Sequence, residues 1–98
     1  MNSKSYKYYK LIENLGIINT LFNKLCVEKD IKNIETILEI IYLYLIFCFE
    51  KNKDYSNYLN YFKEILYNKN YPIHALIKNI NLNLIKKYKT LFEYSENN

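Results

Sequence analysis

The stretch that decides the fold reads IIYLYLIFCF at residues 40–49, where ten apolar or aromatic side chains follow one another without a charge. Glu39 and Glu50 border it. A helix needs about 20 apolar residues to cross a bilayer, so this run is too short to span one. A helix that is apolar on all sides is normally surrounded by other protein. Because a chain of 98 residues has little material for such cover, the run predicts a partner.

The sequence around this run follows the 3.6-residue period of an α-helix and predicts a helix over residues 31–51, with Asp30 as its N-cap. A strand is the alternative for residues 40–49, because Ile, Tyr and Phe favour strands. Helical periods on both sides, and the lack of a Gly-containing hairpin turn, argue for the helix. Its predicted core face consists of Ile34, Leu38, Ile41, Leu45 and Cys48.

The opposite side of this helix is charged in its first half and apolar in its second half, which predicts a partner-binding surface there. The anchors of that surface are Ile40, Leu43 and Phe47, with Tyr42 and Ile46 alongside. Apolar patches that stay exposed in a folded protein mark interfaces. The alternative is that the N-terminal segment or the next helix covers this side, which makes these residues part of the core.

Three further helical segments are predicted from apolar spacings of three and four residues. The first covers residues 4–27 with a break or kink expected near Gly16, and its apolar seam is Tyr8, Leu11, Leu15, Ile18, Phe22 and Leu25. The next begins near Asp54 or Ser56, with one face of Tyr55, Tyr58, Leu59, Phe62, Ile65 and Leu66. The last begins at Pro72, which suits a first helical turn, and carries Ile73, Leu76, Ile77, Ile80, Leu84, Tyr88 and Leu91.

These segments predict an all-α protein. Short connections favour antiparallel neighbours, so the predicted architecture is a small antiparallel four-helix bundle, with two stacked helical hairpins as the runner-up. We expect a single helical domain over residues 1–95 and a frayed polar tail at residues 96–98.

The composition is biased in a way that limits what lysine content can show. All 14 basic residues are Lys, the formal net charge is +4, and Tyr occurs 12 times. Lys, Asn, Ile and Tyr have AT-rich codons, so the bias is typical of an AT-rich genome. The N-terminus lacks the continuous apolar stretch of a signal peptide, and the two cysteines have no CxxC spacing. These features predict a cytoplasmic location or an equivalent reducing compartment.

The residue types that carry chemistry are sparse. His74 is the only histidine, and Cys26 and Cys48 are far apart in the sequence. A structural zinc site needs about four converging ligands, so these residues do not predict a metal site. There is no Gly-rich phosphate loop and no local Ser/His/Asp pattern. We therefore expect no cofactor and no enzymatic activity.

Nucleic acid is the alternative partner class. Lys4, Lys7 and Lys10 alternate with tyrosines near the N-terminus, and Lys86, Lys87 and Lys89 surround Tyr88 near the C-terminus. Lysines neutralise phosphates and tyrosine rings stack on bases, as in many single-strand binders. The absence of Arg and the compositional source of the lysines argue against this alternative.

In size and helix order the chain resembles the small four-helix bacteriocin immunity proteins, although no specific motif carries the resemblance. It implies a cytosolic protein that acts through a receptor complex. The function expected from the sequence is broader. The chain is predicted to be a non-enzymatic protein–protein interaction module, working as a homo-oligomer such as a homo-dimer, an accessory subunit or a small inhibitor.

Overall fold

A computed structural model describes the backbone of residues 3–96 and the side chains of residues 6–7 and 9–93. Within this part of the chain there is no strand, and the α-helices are α1 (Ser3–Leu15), α2 (Ile18–Val27), α3 (Ile31–Glu50), α4 (Ser56–Tyr67), α5 (Pro72–Leu76) and α6 (Leu82–Glu96). A 3₁₀ turn, Ile77–Asn79, follows α5. The predicted all-α class is confirmed, and the strand alternative for residues 40–49 is wrong because these residues lie within α3.

The long helix α3 lies at the centre, because α1, α2 and α6 all pack against it. It begins where predicted: the Asp30 carboxylate accepts a hydrogen bond of 3.1 Å from the Asn33 backbone N–H, which satisfies a free N–H group of the first turn. Its core face is also confirmed. All five side chains predicted for it are at most 2% exposed, namely Ile34, Leu38, Ile41, Leu45 and Cys48.

Gly16 separates α1 from α2 and confirms the predicted break. Its φ of +61° is left-handed, a conformation that glycine adopts readily and L residues with a side chain adopt at a cost. This turn changes the direction of the chain, so α1 and α2 do not share one face. Leu11 and Leu15, predicted on the apolar seam, are 50% and 61% exposed, and that part of the prediction is wrong.

The residues of α1 that enter the core are instead Tyr9 and Ile12, at 2% and 3% exposure. The predicted apolar seam is confirmed beyond the break at Gly16, where Ile18, Phe22 and Leu25 are buried. The Tyr8 side chain, also predicted on the seam, lies outside the described residues.

Helix α4 begins at Ser56, one of the two predicted starts. The Asp54 carboxylate accepts hydrogen bonds from the Ser56 backbone N–H (2.9 Å) and hydroxyl (2.7 Å). Leu59, Phe62 and Ile65 of the predicted face are at most 2% exposed. Tyr55 is buried as well, and Tyr58 and Leu66 are half-buried.

The last predicted helix is divided into α5 and α6. Pro72 lies in the first turn of α5 as expected, but a new helix begins at Leu82. The Asn81 side-chain oxygen accepts a hydrogen bond from the Asn83 backbone N–H (2.9 Å), and the Asn81 backbone N–H donates to the Glu35 carboxylate (2.7 Å). Asparagine competes with helix hydrogen bonds in this way, so the helix restarts at this point.

The predicted apolar stripe survives this division. Ile73, Ile80, Leu84, Tyr88 and Leu91 are at most 5% exposed, and Leu76 and Ile77 are half-buried. Because two of the four predicted helices are each divided, the four-helix bundle arrangement is not confirmed.

Helix α6 extends to Glu96, and the frayed polar tail expected at residues 96–98 stays a prediction. Residues 97 and 98 lie outside the described part of the chain. Within residues 3–96, no helix combines the length and the apolar content needed to cross a membrane.

Candidate functional site

The predicted anchor Phe47 is a core residue. It is 2% exposed, and its ring centroid lies 6.1 Å from that of Tyr6 and 5.3 Å from that of Tyr9, both on α1. Helix α1 therefore covers this side of α3, which is the alternative that the sequence left open. A partner reaches Phe47 only if α1 moves away.

A polar cluster of Glu13, Tyr44 and Lys53, here called the Glu13 cluster, joins α1 to the C-terminal half of α3. The Tyr44 hydroxyl donates a hydrogen bond of 2.7 Å to the Glu13 carboxylate, and the Lys53 ammonium donates to the same group. These two donors, Lys53 first, hold the pKa of Glu13 below its usual value. Burial, followed by the bond to Glu13, raises the pKa of Tyr44, so its hydroxyl stays protonated and donates.

The other predicted partner-binding residues on α3 are Ile40, Tyr42, Leu43 and Ile46, and all four are half-buried. Ile40, Tyr42 and Ile46 pack against the core. The Tyr42 ring contacts that of Tyr88 on α6 edge to face, with 5.7 Å between centroids. Much of this predicted surface therefore serves internal packing.

Among the lysines of the nucleic-acid alternative, Lys10 and Lys87 contact other side chains of this protein. On α1, Lys7 and Lys10 are exposed, and the Lys10 ammonium lies 5.9 Å from the centroid of the Tyr6 ring. The Lys4 side chain lies outside the described residues. On α6, Lys86 and Lys89 are exposed, whereas Lys87 forms a 3.3 Å ion pair with Glu39. Nucleic-acid binding by these lysines stays a prediction.

The histidine and the two cysteines lie on three different helices, His74 on α5, Cys26 on α2 and Cys48 on α3. The Nδ1 atom of His74 lies 2.9 Å from the Leu66 carbonyl oxygen, which requires Nδ1–H as the donor. Cys26 and Cys48 are both buried free thiols, and burial raises the pKa of Cys48. Across the described residues, no three or more His, Cys, Asp or Glu side chains converge in a way that could hold a metal ion.

An apolar groove between α4 and α6, which the sequence did not predict, is the candidate binding site. Its volume is about 350 Å³. The lining residues of this α4–α6 groove are Leu38, Phe62, Leu66, Tyr67, Ile77, Ile85, Tyr88, Lys89 and Phe92. Helices α4 and α6 provide the two walls, Leu38 of α3 lies at the floor, and Ile77 of the 3₁₀ turn also contributes.

The floor of the groove is closely packed. The rings of Phe62 and Tyr88 stack in parallel, with 4.5 Å between centroids and 4° between planes. The Tyr88 hydroxyl donates a hydrogen bond to the Leu38 carbonyl oxygen. Burial raises the pKa of Tyr88, so this hydroxyl stays neutral and keeps its bond. The Tyr88 hydroxyl therefore already has its hydrogen-bond acceptor inside the protein.

The walls of the groove, by contrast, remain open to solvent. Leu66, Ile77, Ile85 and Phe92 are half-buried, and Tyr67 is 77% exposed. In sequence, Ile85 and Phe92 each lie one position after a residue of the predicted stripe of the last helix. These two residues widen the apolar stripe beyond the residues that are buried. That extra width is the feature of the sequence that could have revealed the groove wall.

Comparison with protein-family models, with curated proteins and with solved structures gives no match for this chain. The resemblance to the bacteriocin immunity proteins therefore stays a prediction. The α4–α6 groove itself has a packed aromatic floor, open apolar walls and an edge that carries Lys89.

Proposed function

We propose that this protein is a non-enzymatic protein-interaction module whose α4–α6 groove receives a helix of a partner protein. One observation carries the proposal: five apolar or aromatic lining residues keep exposed surface above a packed floor, namely Leu66, Tyr67, Ile77, Ile85 and Phe92. Contiguous apolar surface of this kind is typical of interaction sites. An amphipathic helix docks into such a groove through apolar side chains at spacings of three and four residues.

The polar groups of the groove favour a protein helix over a small molecule. Small-molecule sites orient their ligand with a few convergent polar groups. In this groove the Tyr88 hydroxyl is bonded to Leu38, whereas Tyr67 and Lys89 are exposed and therefore lie at the edge. A bound partner would therefore make apolar contacts inside the groove and polar contacts only at its rim. An amphipathic helix, with polar residues beside its apolar stripe, fits this pattern.

The predicted surface on α3 is the second candidate for the same function. This α3 surface consists of Ile40, Tyr42, Leu43 and Ile46. Phe47 is not part of it, because α1 covers that residue. The antiparallel four-helix arrangement, the role as an oligomer or subunit and the cytoplasmic location belong to this proposal as expectations from the sequence.

The proposal is tested with a designed amphipathic helical peptide of about 15 residues, a length at which isolated helices begin to be stable. It carries leucines at positions i, i+3, i+4 and i+7 and uncharged Gln elsewhere. We expect amide chemical-shift changes in the NMR spectrum of the protein to map to α4 and α6. The proposal fails if the changes map to α1 and the outer side of α3, or if the peptide does not bind.

Matched leucine variants locate the site independently. Leu66→Asp places a charge in the groove wall and should weaken peptide binding about tenfold or more. Leu11→Asp makes the same change at a 50% exposed leucine of α1 and should leave binding unchanged. Leu43→Asp tests the α3 surface, and loss of binding in this variant alone would move the site there.

Self-association tests whether a second copy of this chain provides the partner helix. Light scattering after gel filtration over a concentration series measures the solution mass. A wild-type dimer that becomes a monomer with Leu66→Asp, and stays a dimer with Leu11→Asp, would identify the groove as a self-association surface. A monomer at all concentrations would mean that the partner helix belongs to a different protein.

A further inference from the structure

Among the described residues that line the α4–α6 groove, the charge has one sign. Lys89 is the only charged residue in that described lining. The Lys63 ammonium lies 5.1 Å from the centroid of the Phe92 ring, another lining residue. We infer that the partner helix is acidic and amphipathic, with an apolar stripe in the groove and Asp or Glu beside that stripe. This inference rests on the proposed function.

Lys89 has the position and the freedom that this role requires. It is exposed, and among the described residues the structure gives it no ion-pair partner. Lys87 differs, because it pairs with Glu39 at 3.3 Å and its ammonium lies 5.5 Å from the centroid of the Tyr42 ring. An incoming carboxylate can therefore pair with Lys89 without displacing an internal partner.

The sequence of α6 extends this arrangement along the helix. Leu82, Ile85, Lys89 and Phe92 are separated by three and four residues, so they lie along one side of α6. Leu82 is 64% exposed and prolongs the apolar surface beyond the groove. Lys86, also exposed, is one turn before Lys89. A partner helix lying along this side would meet two cations beside its apolar contact.

Two acidic residues, Glu64 and Glu93, are close to the groove in sequence but are not among its described lining residues. Glu93 follows Lys89 by four residues, and Glu64 precedes the lining residues Leu66 and Tyr67 on α4. Both are exposed. The inference rests on the position of Lys89 within an apolar lining, because lysine is abundant throughout this composition and its number alone indicates nothing.

Electrostatics decides which helix the groove selects, while apolar contact provides most of the affinity. Complementary charges at a rim mainly raise the association rate and disfavour like-charged partners. A helix with basic residues beside its stripe would bring like charges towards Lys89. The preference must decrease with salt, since the Debye length is only about 8 Å at 0.15 M ionic strength.

The test uses three helical peptides with an identical leucine stripe and with Glu, Gln or Lys beside it, titrated against the full chain at low and at 0.15 M salt. At low salt we expect the Glu peptide to bind about fivefold more tightly than the Gln peptide, and the Lys peptide to bind more weakly. Lys89→Glu should reverse the order of the Glu and Lys peptides. Lys7→Glu, the same charge change at an exposed lysine of α1, should preserve it.

The outcomes separate this inference from the proposed function. If the Gln peptide binds in the groove but all three affinities are equal, or Lys89→Glu leaves the order unchanged, the acidic partner is excluded and the interaction module stands. If no peptide binds in the groove, the proposed function fails and this inference fails with it. If the Glu preference disappears at high salt and reverses in Lys89→Glu, the inference is supported.

Discussion

Two aromatic regions of this molecule are alike in composition and opposite in exposure. Around Phe47, the rings of Tyr9, Tyr44 and Phe47 pack between α1 and α3, and none is more than 5% exposed. In the α4–α6 groove, Phe62 and Tyr88 form an equally packed floor, but Phe92 and Tyr67 above them keep exposed surface. In the first region a helix covers the rings, whereas in the second no described helix does.

The two regions also differ in where the tyrosine hydroxyls find their acceptors. Tyr44 donates across the helix pair to Glu13, so its bond holds the covering helix α1 in place. Tyr88 donates to the Leu38 carbonyl oxygen of the helix beneath it, and this bond satisfies the hydroxyl without a contact to any covering helix. Aromatic content alone therefore does not distinguish a closed core from an open groove.

The largest expected contrast comes from removing one ring in each region. Phe47→Ala should lower the free energy of unfolding by about 3–5 kcal/mol, because it leaves a cavity under α1. Phe92→Ala, at a half-buried position, should cost about 1 kcal/mol. Urea denaturation measures both values. Equal costs would mean that the two regions do not differ in burial.

The hydroxyl bonds give the next contrast. Tyr44→Phe removes a hydrogen bond to a carboxylate, which we expect to cost about 1.5–3 kcal/mol, and Tyr88→Phe removes a bond to a neutral carbonyl, which costs about 0.5–1.5 kcal/mol. A double-mutant cycle with Glu13→Gln isolates the first interaction. A coupling energy near zero would show that Glu13 does not hold α1 through Tyr44.

The turn between α1 and α2 gives the third contrast. Gly16→Ala should cost about 1–2 kcal/mol, because its left-handed φ of +61° is unfavourable for a residue with Cβ. No atom lies within 4 Å of the added Cβ, so the cost comes from the backbone. Gly16→Asn should cost less, since asparagine tolerates this conformation. Peptide affinity in the groove should not change in either variant, and a loss there would link the two regions.

The smallest expected effect is a pH dependence of stability from Glu13. Its folded pKa lies below the ordinary value of about 4.3. Its contribution is therefore complete above that value and is lost as pH falls through the folded pKa. The side chain is 33% exposed, so the contribution should stay below about 1 kcal/mol. Urea denaturation between about pH 5 and 3 should show a smaller slope in Glu13→Gln, and an unchanged slope would contradict the assignment.

The sequence predicts well the features that depend on local pattern. The buried face of α3, the cap at Asp30, the break at Gly16 and the start at Pro72 all follow from helical period and from the conformational preferences of single residues. The division at Asn81 was missed because the predicted apolar stripe continues across it, and part of what fixes the break is a bond to Glu35 of α3, which is far away in sequence.

Features that depend on which helix covers which face could not be predicted. Leu11 and Leu15 share the spacing of core residues, but the turn at Gly16 rotates α1 so that Tyr9 and Ile12 are buried instead. Phe47 lies on the side of α3 that looked open, and only the position of α1 shows that it is closed. The groove likewise depends on the separation of α4 and α6, which helical period does not encode.

Hydroxyl-radical footprinting read by mass spectrometry tests the central claim most directly: the chain covers Phe47 and leaves the α4–α6 groove open for a helix. In the free protein, Tyr67 and Phe92 should oxidise faster than Phe47. Addition of the Glu-flanked peptide should slow oxidation at Tyr67 and Phe92, with exposed Leu11 unchanged. The account is contradicted if Phe47 oxidises as fast as Phe92, or if the peptide protects Ile40 and Leu43 instead of the groove.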